Sequence, residues 1–164
     1  MGFKYDTELS NNDRKVIVDK DGTPNIVYRG TKQSRVKDWI SDIALGLGLQ
    51  RFDPRFRDAK RIANNVEAKY NTAANVVGHS LGGSLAENSG AHGNIITFNK
   101  GAGLGDIGKT IPKRQTDIRV ANDIVSKIGT TQNNKYNNFK ELDANHHGFI
   151  SAHNLENLKD IKYE

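Results

Sequence analysis

Two short apolar runs open the patterned part of the chain, Lys15 to Asp19 (KVIVD) and Asn25 to Tyr28 (NIVY). Their length and β-branched content predict strands, and Lys20-Asp21-Gly22-Thr23-Pro24 between them carries the Asp-Gly signal of a hairpin. Val36 to Leu49 mixes apolar and charged positions around the single tryptophan, Trp39. The period then changes: Phe56, Ala59, Ile62, Ala63, Val66 and Tyr70 recur at helical spacing. Asp53 and Pro54 ahead of them read as N-cap and first helical residue, and the stripe reads as core packing. Ala73 to Val77, Asn94 to Asn99 (NIITFN) and Asp117 to Ala121 (DIRVA) are further strands, while Leu81 to Asn88 fits a short helix. Thr130 to Asn138 is polar and Asn-rich, a long loop. Leu155, Leu158 and Ile161 predict a closing helix over Ser151 to Ile161. The order β-β-α-β-α-β-β-α points to an α/β fold with a mostly parallel central sheet.

Composition narrows the class. A length of 164 residues fits a single domain over 1–164. With 35% hydrophobic and 26% charged residues and sixteen glycines, a loop-rich α/β chain fits better than a helical bundle. Absent cysteines exclude disulfides and thiolate metal sites, and they suit a reducing compartment. Met1 to Asp6 has no apolar core of a secretory signal, and no apolar run reaches membrane-spanning length, so the expectation is an intracellular chain. The net charge of +5 can draw a chain toward anionic lipid or nucleic acid, but scattered surface lysines give the same value, so it decides no partner. No nucleic-acid partner, cofactor or metal is expected, and the sequence carries no signature of oligomeric state.

Val76-Val77-Gly78-His79-Ser80-Leu81-Gly82-Gly83 is the stretch that carries chemistry. It is a strand running into a G-x-S-x-G turn and then a helix start. Small residues two before and two after the serine let strand and helix approach closely, and the turn exposes the hydroxyl. Free N–H groups at the helix start can face a substrate oxygen. The plainer reading is a glycine-rich connection whose serine caps a helix.

A serine hydroxyl is a weak nucleophile until a base takes its proton, and elbow hydrolases supply acid and then base further along the chain. Of five histidines, His79 lies inside the elbow with its side chain expected to point away from the serine, and His92 precedes any candidate acid. His153 opens the predicted closing helix and is favoured as base, with His147 in reserve and His146 beside it; a base needs a fixed orientation. Asp123 follows DIRVA at the carboxyl end, where such sheets gather functional groups. Asp117, at the other end of that strand, and Asp143, in a loop, are the alternatives. Asp123 can equally cap a following helical turn.

Six segments in series resemble the class 3 (fungal-type) lipase family of the α/β-hydrolase superfamily. They are Ile26 to Thr31, Asp38 to Asp42, Gly78 to Gly83, Ile95 to Phe98, Ala121 to Val125 and His153 to Asn157. The resemblance implies an α/β-hydrolase-like three-layer sandwich and hydrolysis of carboxylic esters, usually of lipids: a lipase, phospholipase or esterase. It places the nucleophile on Ser80, the acid on Asp123 and the base on His153. It also implies an oxyanion hole at Thr31 and the N–H of Leu81, and a lid or substrate contact at Trp39. The chain is a short, reduced member of that pattern, with 43 residues from Ser80 to Asp123 and 30 from Asp123 to His153. An inactive lipase-like module that binds lipid or protein is the alternative.

Two other motifs are weaker. Gly103 to Thr110 spells G-x-x-x-x-G-K-T after a strand, yet a phosphate loop needs a helix starting at its Lys-Thr, and Pro112 follows at once. Asp143 to Asn154 echoes a calcium loop, but position twelve is Asn154 and the bidentate glutamate is missing.

Overall fold

The computed structural model describes residues 2–30, 53–101, 106–123, 125–127, 131–143 and 153. Within them lie strands β1 (Lys4–Tyr5), β2 (Arg14–Val18) and β3 (Pro24–Tyr28), helix α1 (Pro54–Tyr70), strand β4 (Asn75–His79) and helix α2 (Leu81–Asn88). Strands β5 (Ile95–Phe98), β6 (Gln115–Val120) and β7 (Phe139–Leu142) follow. They form one seven-stranded sheet in the order of the sequence. The first three strands pair antiparallel, and every pair from β3 to β7 is parallel. This is an α/β-hydrolase-like architecture with a mostly parallel sheet.

Helix α1 starts where the sequence predicts. The Asp53 carboxylate accepts from the Arg55 N–H at 2.9 Å, and Pro54 occupies a position whose N–H would have no partner within the helix. It ends at Asn71, which takes the left-handed conformation at φ 49°. Its stripe Phe56, Ala59, Ile62, Ala63 and Val66 is buried against β2 to β5. Val16, Ile26, Val76 and Ile95 form one straight row across those strands, and all four are essentially inaccessible. Tyr28 fastens helix to sheet, its hydroxyl donating to the Ala59 carbonyl at 3.0 Å.

Helix α2 joins the same apolar cluster through Leu81, Leu85 and Ala86, so both described helices cover one face. Topology explains this. Right-handed crossovers that always advance in one direction leave their helices on one side. The next row on the opposite face, Val27, Val77 and Ile96, stays partly open, with Val27 36% and Ile96 42% exposed. The stretch 36–49 and the closing helix expected at 151–161 lie outside the described residues, apart from His153.

Two strands go beyond the sequence reading. β1 is only two residues long, and β7 (FKEL) directly follows the Asn-rich loop. β7 is held by charge as much as by apolar contact: Arg119 lies over the Phe139 ring at 4.2 Å and pairs with Glu141 at 2.7 Å. The strand expected at 73–77 runs from Asn75 to His79, bringing it right up to the serine.

Candidate active site

Ser80 terminates β4 with φ 57° and ψ −127°, a conformation that costs a non-glycine residue energy. Four backbone hydrogen bonds hold it there. Its N–H donates to Phe98 at 3.0 Å, and its carbonyl accepts from Gly83 at 2.9 Å and from Ser84 and Gly101 at 3.3 Å each. The flanking glycines are steric necessities: a Cβ on Gly78 would strike the Gly82 carbonyl, and one on Gly82 the Tyr28 carbonyl. Gly30 approaches from β3, where an added Cβ would lie 2.7 Å from the His79 carbonyl and 3.2 Å from the Ser80 Cβ. The chain leaving β3 therefore passes directly over the serine. Ser80 is 2% exposed, and its hydroxyl makes no hydrogen bond among the described residues.

Asp123 lies just past β6, behind Asn122 in the left-handed conformation at φ 69°. Its Oδ1 accepts from the Val125 N–H at 3.0 Å, and its Oδ2 lies 3.0 Å from Nδ1 of His153. A carboxylate oxygen accepts, so His153 Nδ1 carries the proton and Nε2 is the basic nitrogen. Both side chains are buried, Asp123 at 2% and His153 at 3% exposed. The structure thus brings Asp123 and His153 into direct contact. Ser80 is next to His79, whose ring packs on that of His153 with centroids 4.9 Å apart.

The competing residues are otherwise occupied. Asp117 faces the helices and binds Thr97, Gln115 and the buried Lys100, at 2.7, 2.7 and 2.8 Å. Lys100 also meets Glu87 at 2.7 Å and Gln132 at 2.8 Å. Burial alone would lower the Lys100 pKa, but Asp117 and Glu87 outweigh it and raise it. His92 is exposed and paired with Glu67 at 2.7 Å. His146 and His147 lie outside the described residues.

Residues 7–138 match the phospholipase-like family described as the Tle-like phospholipase domain. The chain belongs to this family. No curated protein and no solved structure matches it. The family supports lipid-ester hydrolysis and agrees with the sequence resemblance at the level of phospholipases and lipases, without naming the class 3 lipases. Its match spans Ser80 and Asp123 and stops before His153.

Leu81 is the first residue of α2, where a helix leaves its N–H groups without intrahelical acceptors. Thr31 and Trp39 lie outside the described residues, as does nearly all of the calcium-like stretch from Asp143 to Asn154. Lys109 of the phosphate-loop lookalike points its ammonium to Glu87 and Asp106 at 3.5 and 3.6 Å. Thr110 forms a bridge with Asn133, and residues 111–114 carry no helix. Among the described residues, no helix is long and apolar enough to cross a membrane, and no cluster of three His, Asp or Glu side chains could hold a metal.

Sequence reasoning missed His79. Its ring does not stand idle beside the elbow: Nε2 lies 2.7 Å from the His153 main-chain carbonyl, and the ring packs between Phe98 and His153. Strand alternation was the available signal. His79 follows Asn75 and Val77 on the face away from the helices, where a base arriving from the far end of the chain would meet it.

Proposed function

We propose that the protein is a serine hydrolase that cleaves carboxylic esters of lipids, phospholipids first among them. The observation supporting this best is the buried Asp123–His153 hydrogen bond of 3.0 Å beside a serine held in a strained elbow. In this reading His153 Nε2 removes the Ser80 proton, and Ser80 Oγ attacks the ester carbonyl. The N–H of Leu81, with Thr31, receives the oxyanion. His153 then protonates the departing alcohol, and an acyl-serine remains. Water, deprotonated by the same imidazole, releases the fatty acid and restores Ser80. Asp123 fixes the imidazole tautomer throughout. The narrower kinship with class 3 lipases, and with it a covering role for Trp39, rests on the six sequence segments. The net charge of +5 favours anionic phospholipid over neutral acylglycerol.

The test is fatty-acid release from phosphatidylglycerol and phosphatidylcholine vesicles, run beside p-nitrophenyl esters and fluorophosphonate labelling. Ser80→Ala is expected to abolish labelling and lower turnover at least about 10³-fold. Wild-type protein that neither labels nor turns over any ester leaves a non-catalytic lipid- or protein-binding module as the reading. Loss of activity in His147→Ala but not in His153→Ala would reassign the base.

A further inference from the structure

We propose that His79, the variable residue inside G-x-S-x-G, is a positioning residue for His153, holding its main chain by a hydrogen bond and its ring by stacking. This rests on the reading of His153 as the general base.

The geometry determines how His79 works. A main-chain carbonyl can only accept, so the His79 Nε2 that lies 2.7 Å from the His153 oxygen must carry the proton. The two rings are tilted by 40° at 4.9 Å, and Phe98 packs against His79 from 5.7 Å. His153 is therefore gripped at two points on different elements: its ring by Asp123 beyond β6, its backbone by His79 at the end of β4. Two grips fix both the position and the rotation of an imidazole, whereas one carboxylate contact leaves the ring free to pivot. His79 also sits beside Ser80 in sequence, so the nucleophile and its base are referred to the same two residues of backbone.

Charge is consistent with this role. Burial first, and then the neighbouring His153, press the His79 pKa down to about 4. A neutral ring can donate to the carbonyl without placing a second cation beside the imidazolium that forms on His153 during acylation. Its proton is engaged by the carbonyl, so His79 acts through His153 and takes no part in proton transfer.

His79→Phe keeps the ring and removes the donor; His79→Gln keeps a donor at similar reach. Two measurements on the full chain test the proposal. In NMR, the wild type should show a downfield imidazole N–H proton that vanishes in His153→Ala, reporting the Nδ1–H held by Asp123. In His79→Phe it should exchange with water at least tenfold faster, and in His79→Gln it should persist. In turnover of the best ester, His79→Phe should lose roughly 10- to 100-fold in kcat at nearly constant KM, and His79→Gln should recover most of it. Should His79→Phe not fold, His79→Leu removes donor and ring together, and recovery in the equally ringless His79→Gln then isolates the donor. The proposal is overturned if the wild type lacks that resonance, if Phe leaves it and kcat unchanged, or if Gln falls as far as Phe. The resonance does not depend on turnover. A His79-dependent signal in a protein without Ser80-dependent hydrolysis would overturn the hydrolase reading alone and leave the geometric role standing.

Discussion

Ser80 keeps φ 57° and ψ −127° because its N–H and carbonyl are both engaged, the one by Phe98 and the other by Gly83, Ser84 and Gly101. A strained residue of this kind costs about 1–3 kcal/mol, while glycine adopts such angles freely. Ser80→Gly and Ser80→Ala both delete the hydroxyl, yet only glycine relieves the backbone. Urea unfolding should find Ser80→Gly more stable than Ser80→Ala by about 1 kcal/mol, after glycine's own entropic cost. Equal stabilities would show that the turn is not strained. His79 has a pH signature of its own. With its pKa held near 4 in the folded protein and near the ordinary histidine value of about 6.5 in the unfolded chain, the unfolded state binds the proton first. Stability should therefore fall as pH drops from about 6.5 to about 4. In His79→Gln that slope should flatten by up to about one proton.

Among the elements, the connection between α2, β5 and β6 is where charge is buried. Lys100 joins Glu87 on the helix to Asp117 on the strand, with Gln132 closing the ring through hydrogen bonds to Lys100 and, at 3.1 Å, to Glu87. Removing one partner of such a group strands the others. Lys100→Met should cost roughly 3–5 kcal/mol, measured as the fall in unfolding free energy at neutral pH. A loss below 1 kcal/mol would mean that water reaches the carboxylates. This network also marks the limit of what the sequence could reveal. Helix α1 and strands β2 to β6 were legible because their apolar periods are local properties. Asp117 and Asp123 are six residues apart, so strand alternation alone would aim both the same way; β6 ends at Val120 and Asn122 turns left-handed, which parts Asp117 at Lys100 from Asp123 at His153. β7 escaped because two of its four residues are charged and its stabilising partner, Arg119, lies on another strand. The G-x-S-x-G turn was legible because its two glycines are set by backbone contact alone. His79 escaped for the opposite reason: the turn leaves its side chain free, and its use depends on a residue 74 positions away.

For the molecule as a whole, the first strand is tied down by charge. Asp6 follows β1 and meets Lys69 at 2.8 Å and the Tyr70 hydroxyl at 2.6 Å, both at the end of α1. Burial raises its pKa, but Lys69, Tyr70 and the Leu9 N–H outweigh that and hold it at about 2. This depressed carboxyl contributes stability above its unfolded value near 3.9, and the contribution fades as pH falls towards 2. Asp6→Asn should lower stability at pH 7 and remove part of the acid sensitivity between pH 4 and 2, read from unfolding curves across that range. An unchanged acid limb would show that the tie is too solvated to matter.

Strand order and chain order coincide from β1 to β7, which gives the protein a history during synthesis. Each new strand, as it leaves the ribosome, finds the edge laid down just before it, and no earlier strand need be displaced to admit a later one. The serine turn, wedged between β4 and α2, can thus take shape when only the first part of the sheet has been laid down. His153 is translated 73 residues after Ser80. In the hydrolase reading, a nascent chain carries its nucleophile before it has the means to activate it, and Ser80 stays inert until His153 has been made and docked.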